Sequence, residues 1–337
     1  MPRAQTLFFR HHHRATALLL LGALIFSCLS VLAEEQGPSP STMFAGFEGS
    51  NGCSSDSDSW VVDATNAPTH GNLDSGIRSI RFWRSTGGRF RQEYSLTDFA
   101  AAMTPEIPTL FYVHGYGLRE KGAIFGATRL ASYLNPCDGK RFRTVAWVWD
   151  ARTQLLASLK TNIRDKSENA EAQGYYLAHT IRQMSPEAEI ALIGHSFGCR
   201  SVCACLHGLA TNRVGQSLLP SNGLDGPRHL EATLIAAGVE NDALGPNGRY
   251  SCAMTQVERM LITVNPNDRI LRGLALSMHD FNVMGLTGPV MQDWPTEYRC
   301  KVSVNDLSNS VWGAHRLGRY TRDPTSRPAI SPRILDR

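Results

Sequence analysis

The sequence predicts an α/β domain with a mostly parallel central sheet and helices on both faces, and three observations carry that prediction. Short apolar runs of strand length recur through the middle of the chain, several of them without polar alternation, as strands covered on both faces require. Helix-like stretches fall between these runs, and strand alternating with helix means βαβ crossovers. The patterned segment is about 260 residues long, which suits one α/β domain.

The elements follow in chain order. Residues 1–33 stand outside the domain: Arg3, Arg10 and Arg14 precede an apolar run over 15–32, and Val31-Leu32-Ala33 suits the cleavage site of a secretory signal peptide. Cleavage leaves 304 of the 337 residues and places the protein in the periplasm or outside the cell. If retained, residues 15–32 are just long enough to anchor it in a bilayer. Cys28 is a poor lipidation site, because Phe26 and the apolar residues after Cys28 do not fit one. Residues 34–59 are rich in Gly, Ser, Pro and Asp, bury too little apolar surface to offset ordering entropy, and read as a disordered linker. Strands are expected at 60–62, 80–83, 109–113, 145–149, 189–193, 232–236, 260–264 and 301–304, and helices at 119–134, 167–184 and 197–209. The domain therefore spans 60–320. From Thr321, the prolines Pro324, Pro328 and Pro332 predict an irregular tail over 321–337.

Composition narrows the function classes. With 42% hydrophobic, 8% aromatic and 19% charged residues, the chain is neither disordered, collagen-like nor a coiled coil. The formal charge of +4 falls to +1 without the leader's three arginines, which excludes a globally basic nucleic-acid binder. Seven cysteines follow the leader, Cys53, Cys137, Cys199, Cys203, Cys205, Cys252 and Cys300, so at least one thiol is free. A Cys252–Cys300 bridge is one pairing the sequence allows. Cys203 and Cys205 do not share a helix face and have no partner pair at zinc-like spacing, so they read as small apolar fillers.

The strand at 189–193 runs into Gly194-His195-Ser196-Phe197-Gly198 and then a helix. This G-x-S-x-G turn leaves the serine hydroxyl exposed at the sheet edge, which makes Ser196 the candidate nucleophile. Acyl transfer also needs donors for the oxyanion. The backbone N–H groups of Phe197, after the nucleophile, and of Tyr116, in His114-Gly115-Tyr116-Gly117 after the strand at 109–113, are placed to supply them. His114 reads as a packed residue holding that loop.

These two motifs, with Phe111-Tyr112-Val113 ahead of the first, resemble the α/β-hydrolase superfamily. The chain is most similar to a bacterial branch of α/β hydrolases of unknown function. The likeness runs from about residue 60 to 320, through Trp147-Val148-Trp149-Asp150, Ala236-Ala237-Gly238-Val239-Glu240-Asn241-Asp242 and Asn267-Asp268-Arg269-Ile270-Leu271. A serine needs a base to take its proton and a carboxylate to orient that base. The superfamily order of serine, acid and histidine implies Asp268 as the acid, with Asp242 or Glu240 as the alternative. His315, the last histidine, is implied as the base, whereas His279 reads as structural or solvent-facing.

The sequence therefore favours a serine hydrolase of the esterase, lipase or thioesterase kind. Its partner would be a small-molecule or lipid-like acyl substrate, with no nucleic acid, and with membrane contact only through an uncleaved N-terminal segment. No cofactor or metal is implied, since there is no P-loop, no G-x-G-x-x-G after the first strand and no H-E-x-x-H. A non-catalytic scaffold of the same fold is the alternative. A thiol or metal protein built on Cys199, Cys203 and Cys205 is a weaker third reading. The apolar residues between 272 and 298, among them Leu274, Leu276, Phe281, Met284, Leu286, Val290 and Trp294, either line an acyl pocket or pack the core.

Overall fold

A computed structural model describes residues 58–336, apart from 87–88, 135–140, 155–156, 222, 224–227, 278–281 and 323. The expected leader, nearly all of the expected linker, and Cys53, Cys137, His279 and Phe281 lie outside the described residues. The strands are β1 (Ser59–Asp63), β2 (Arg81–Thr86), β3 (Arg89–Tyr94), β4 (Thr109–Val113), β5 (Arg143–Val148), β6 (Glu189–His195), the short pair β7 (Arg213–Val214) and β8 (Ser217–Leu218), β9 (His229–Ile235), β10 (Arg259–Val264) and β11 (Val302–Asp306). Nine of them form one sheet in the order β11-β10-β9-β6-β4-β5-β1-β2-β3. Neighbours from β11 to β1 pair in parallel, while β2 and β3 extend the β1 edge antiparallel. This is the mostly parallel, helix-covered sheet that the alternating pattern predicts, in the arrangement that the resemblance to α/β hydrolases implies.

Four longer helices cover the sheet: α1 (Glu120–Leu134), α2 (Leu159–Gln183), α3 (Gly198–Thr211) and α4 (Arg269–Ser277). The central strands are buried along nearly their whole length, since both of their faces are covered. Trp60 packs edge-on against Phe99 with centroids 5.2 Å apart, and Phe99 meets Phe82 at 4.8 Å, closing the β1 side of the core.

Several segments depart from the sequence expectation, each for a physical reason. Strand β3, whose sequence has no apolar run, lies at the edge of the sheet, where an unbroken apolar run is not required. Helix α2 begins at Leu159 rather than 167. Ser158 caps it, its Oγ accepting from the Thr161 N–H at 3.1 Å. Its first turns escape a hydrophobic-period reading because Asn162 and Lys166 are buried beside Ile163 and held by hydrogen bonds: Asn162 Nδ2 donates to the Gln154 carbonyl at 3.0 Å and Lys166 Nζ to the Asp150 carbonyl at 2.9 Å. Lys301 closes a short helix instead of opening the last strand.

The C-terminal end corrects the expectation of an irregular tail. Its prolines do break periodicity, yet the helical turn Arg327–Ile330 and the turn after it bury Ile330, Ile334 and Leu335 in the core. The segment is pinned to β9: Thr233 Oγ1 donates to the Ile330 carbonyl at 3.2 Å, and the Arg333 N–H donates to Glu231 at 2.6 Å. Cys252 and Cys300 are unbridged, with Cys300 exposed on its helix. Among the described residues no helix is long and apolar enough to cross a membrane.

Removing residues 327–337 strips three buried apolar side chains, each worth about 1.5–3 kcal/mol. Urea unfolding of the truncated protein is expected to show a loss of roughly 5 kcal/mol or no cooperative transition.

Candidate active site

The chain reverses between β6 and α3 at Ser196, which takes φ +56°, a left-handed conformation that a non-glycine residue adopts only when its surroundings impose it. Three backbone hydrogen bonds impose it. The Ser196 N–H donates to the Ile235 carbonyl at 3.0 Å, and the Ser196 carbonyl accepts from Cys199 and Gly238, both at 3.1 Å. Gly198 is required by contact, since a Cβ there would lie 2.0 Å from the Val113 carbonyl oxygen. On the other side, a Cβ on Gly115 would lie 2.7 Å from Ser196 Cβ, so the loop after β4 runs directly against the nucleophile position. The Tyr116 ring reaches over to Phe197, with centroids 6.3 Å apart.

Ser196, His315 and Asp268 come together although they lie far apart in sequence. Ser196 Oγ and His315 Nε2 are 2.9 Å apart, and His315 Nδ1 and Asp268 Oδ2 are 2.8 Å apart. A carboxylate accepts, so Nδ1 carries the hydrogen and Nε2 is left to accept from the hydroxyl. Asp268 is fully buried at the end of β10. Its second oxygen accepts from the N–H groups of Ile270 and Leu271 at 2.9 and 3.0 Å, at the start of α4, where the helix dipole favours a negative charge. The segment after β11 delivers His315. Asn265 Nδ2 donates to the Trp312 and Ala314 carbonyls, and His195 Nε2 donates to the carbonyl of His315 itself at 2.8 Å.

The alternative acids are elsewhere. Glu240 pairs with Arg200 Nη2 at 2.7 Å, compensating a guanidinium buried in α3, and Asp242 is exposed. Sequence reading passed over Arg200, Asn265 and the contact made by His195. Only the His195 position, beside the serine, carried any signal.

His114 is buried and neutral. Nδ1–H donates to the Gly115 carbonyl at 2.9 Å, Nε2 accepts from the Trp149 N–H at 3.2 Å, and the ring stacks on Trp149. Burial pushes its pKa down to about 4, and it anchors the loop that carries Tyr116. Cys199, Cys203 and Cys205 are buried, and burial pushes all three thiols up, Cys203 to about 12, so none is a thiolate near neutral pH. Among the described residues no group of three or more His, Cys, Asp or Glu is arranged to hold a metal. Of the apolar residues between 272 and 298, Leu274, Met284 and Trp294 pack in the core, whereas Leu276 and Val290 are exposed.

The sheet order, the strained serine turn and the residues around it define an α/β hydrolase. Residues 96–295 match the family described as alpha/beta hydrolase of unknown function (DUF900), and the chain belongs to that family. Among solved structures it is similar to an inhibited esterase B from Lactobacillus rhamnosis, with 12% identity and a TM-score of 0.38 over 91% of this chain and 93% of that one. It is also similar to carboxyl esterase 2 from the mycorrhizal fungus Tuber melanosporum, with 12% identity and a TM-score of 0.36 over 90% and 97% of the two chains. No curated protein matches the chain.

The buried His114 gives a signed pH dependence. Its folded pKa of about 4 lies below the ordinary value of 6.5, so the unfolded chain binds the proton first. The stabilisation is complete above pH 6.5 and is lost as pH falls toward 4. Between pH 7.5 and 4.5 this one residue is expected to account for about 2–3 kcal/mol of lost stability. Urea unfolding at both values should show a smaller pH-dependent loss for His114→Asn than for the wild type.

Proposed function

We propose that the protein is a serine hydrolase that cleaves ester or related acyl bonds through an acyl-enzyme intermediate. The observation that carries this reading is the continuous path from Ser196 Oγ to His315 Nε2 at 2.9 Å and from His315 Nδ1 to Asp268 at 2.8 Å. Ser196 Oγ attacks the acyl carbon while His315 Nε2 takes its proton, and Asp268 orients the imidazole and stabilises the imidazolium. The N–H groups of Phe197 and Tyr116 hold the oxyanion of the tetrahedral intermediate. When the intermediate collapses, the bond to the leaving alcohol or thiol breaks and His315 returns the proton to it. Water then attacks the acyl-enzyme with His315 again as base, releasing the acid and restoring Ser196.

The acyl substrate would be a small molecule or lipid-like. The leader expected over residues 1–33 supports a place outside the cytoplasm. If residues 15–32 are retained, the site would face the same compartment from a membrane anchor.

A fluorophosphonate probe tests the reading without a known substrate, because an activated serine displaces its fluoride. Mass spectrometry of the labelled wild type is expected to place the adduct on Ser196, with no adduct on Ser196→Ala. On p-nitrophenyl esters, His315→Ala should lose up to roughly a million-fold in kcat, and Asp268→Asn about ten-thousand-fold through the wrong imidazole tautomer. A folded wild type that does not label would overturn the proposal.

A further inference from the structure

The acyl-transfer route uses three side chains and two backbone donors, and it leaves His195 without a task. His195 ends β6 as the residue before Ser196, and it is buried. Its Nε2 lies 2.8 Å from the carbonyl oxygen of His315. A carbonyl oxygen only accepts, so Nε2 carries the hydrogen and Nδ1 is a bare lone pair. That Nδ1 is buried with no hydrogen-bond partner among the described residues. It faces the loop after β4, where a Cβ on Gly115 would lie 3.3 Å away. The imidazoles of His195 and His315 are 5.1 Å apart, centre to centre.

These contacts place His195 between two loops that must keep register with the nucleophile. The base reaches Ser196 from 119 residues away, on a segment that follows β11 and passes through Trp312, itself at φ +54°. Asn265 holds the Trp312 carbonyl and, at 3.5 Å, the Ala314 carbonyl in the peptide that enters His315, but neither bond fixes the peptide that leaves His315. The bond from His195 does, and it starts one residue from the nucleophile. His315 is thus tied to the serine turn twice, through its side chain to Ser196 and through its main chain to His195. Freed of the second tie, the imidazole can drift from Oγ while still bonded to Asp268.

We propose that His195 is a positioning residue: its Nε2–H, bonded to the His315 carbonyl, sets the distance between the base and Ser196. The inference rests on the serine-hydrolase reading. The ring suits the role because it stays neutral. Burial first, and the facing His315 second, push its pKa down to about 3, against the opposite pull of its bond to the His315 carbonyl and of Asp268, and with a further push from His114. It therefore neither competes for the serine proton nor sets a second positive charge beside the imidazolium of His315. A protonated Nδ1 would also find no acceptor.

The test compares full-length wild type, Ser196→Ala, His195→Leu, His195→Asn and His195→Gln. The readouts are melting temperature and fluorophosphonate labelling, resolved into the maximal rate and the probe concentration at half-maximal rate. Gln reaches far enough to place an N–H near the lost Nε2, whereas Asn is too short and Leu has no donor. The Leu and Asn variants are expected to lose about 10- to 100-fold in maximal rate, as a misplaced base does, with the half-maximal concentration unchanged. His195→Gln should return to within ~3-fold of wild type. If the Leu variant does not fold, the Asn and Gln pair decides the matter. A folded Asn or Leu variant labelling at the wild-type rate overturns the role, and so does equal slowing of the Asn and Gln variants, which would assign the effect to packing. A wild type that labels no more than Ser196→Ala would instead defeat the serine-hydrolase reading, and the positioning role with it.

Discussion

The left-handed turn at Ser196 is the constraint on which the surrounding structure depends. Holding a non-glycine residue at φ +56° costs on the order of 1–3 kcal/mol, and the cost is met by neighbours that fix the turn from several sides. Strand β9 supplies the Ile235 carbonyl and its following loop the Gly238 N–H, while β4 brings the Val113 carbonyl against Gly198. The two strands beside β6 are therefore β4 and β9 for a reason. Their carboxyl ends must converge on one turn, and each then continues into a loop that meets the serine. Once the turn is fixed, the loop at Gly115 lies directly against the Ser196 side chain.

The buried charges around the turn are arranged in separate pairs. Asp268 is wholly inside the protein, where an uncompensated carboxylate would be very costly, and two N–H groups at the start of α4 together with His315 compensate it. Arg200 is buried four residues beyond Ser196 and is compensated by Glu240. These arrangements are mutually exclusive. Were Glu240 to turn toward a histidine, Arg200 would be left as a buried cation without its partner, a loss of several kcal/mol. The carboxylate that faces the imidazole is chosen by what the other carboxylate must already do.

Sequence pattern revealed the parts of this molecule that obey one simple rule at a time. Strands β4, β6 and β10 are unbroken apolar runs because both of their faces are covered, and α3 follows a glycine-flanked serine at short range. Ser196 and Asp268 could be picked out as candidates because they follow strands in a known chain order, and His315 because it is the last histidine, nine residues beyond β11. What stayed hidden depended on partners far away in the chain. The first turns of α2 bury Lys166 and Asn169 on the Asp150 carbonyl, so their polar letters look like surface. Ile330, Ile334 and Leu335 are docked residues set among prolines, and no period marks them. The pairing of Glu240 with Arg200 was hidden too, because no local pattern signals the burial of Arg200.

Three histidines lie near the serine turn, and their partners, rather than their residue type, divide the work among them. His114 sits between a carbonyl and an amide N–H, an arrangement that accommodates only a neutral ring. His195 gives its one hydrogen to a carbonyl and leaves the opposite nitrogen without a partner among the described residues, which again suits a neutral ring. His315 alone faces a carboxylate on one side and a hydroxyl on the other. A positive charge formed there would be met by Asp268, while on either neighbour it would stand beside an acceptorless nitrogen or an N–H that already points at the ring. The surroundings thus leave one imidazole, His315, with a partner for a positive charge, while the other two serve as uncharged parts of the frame around it.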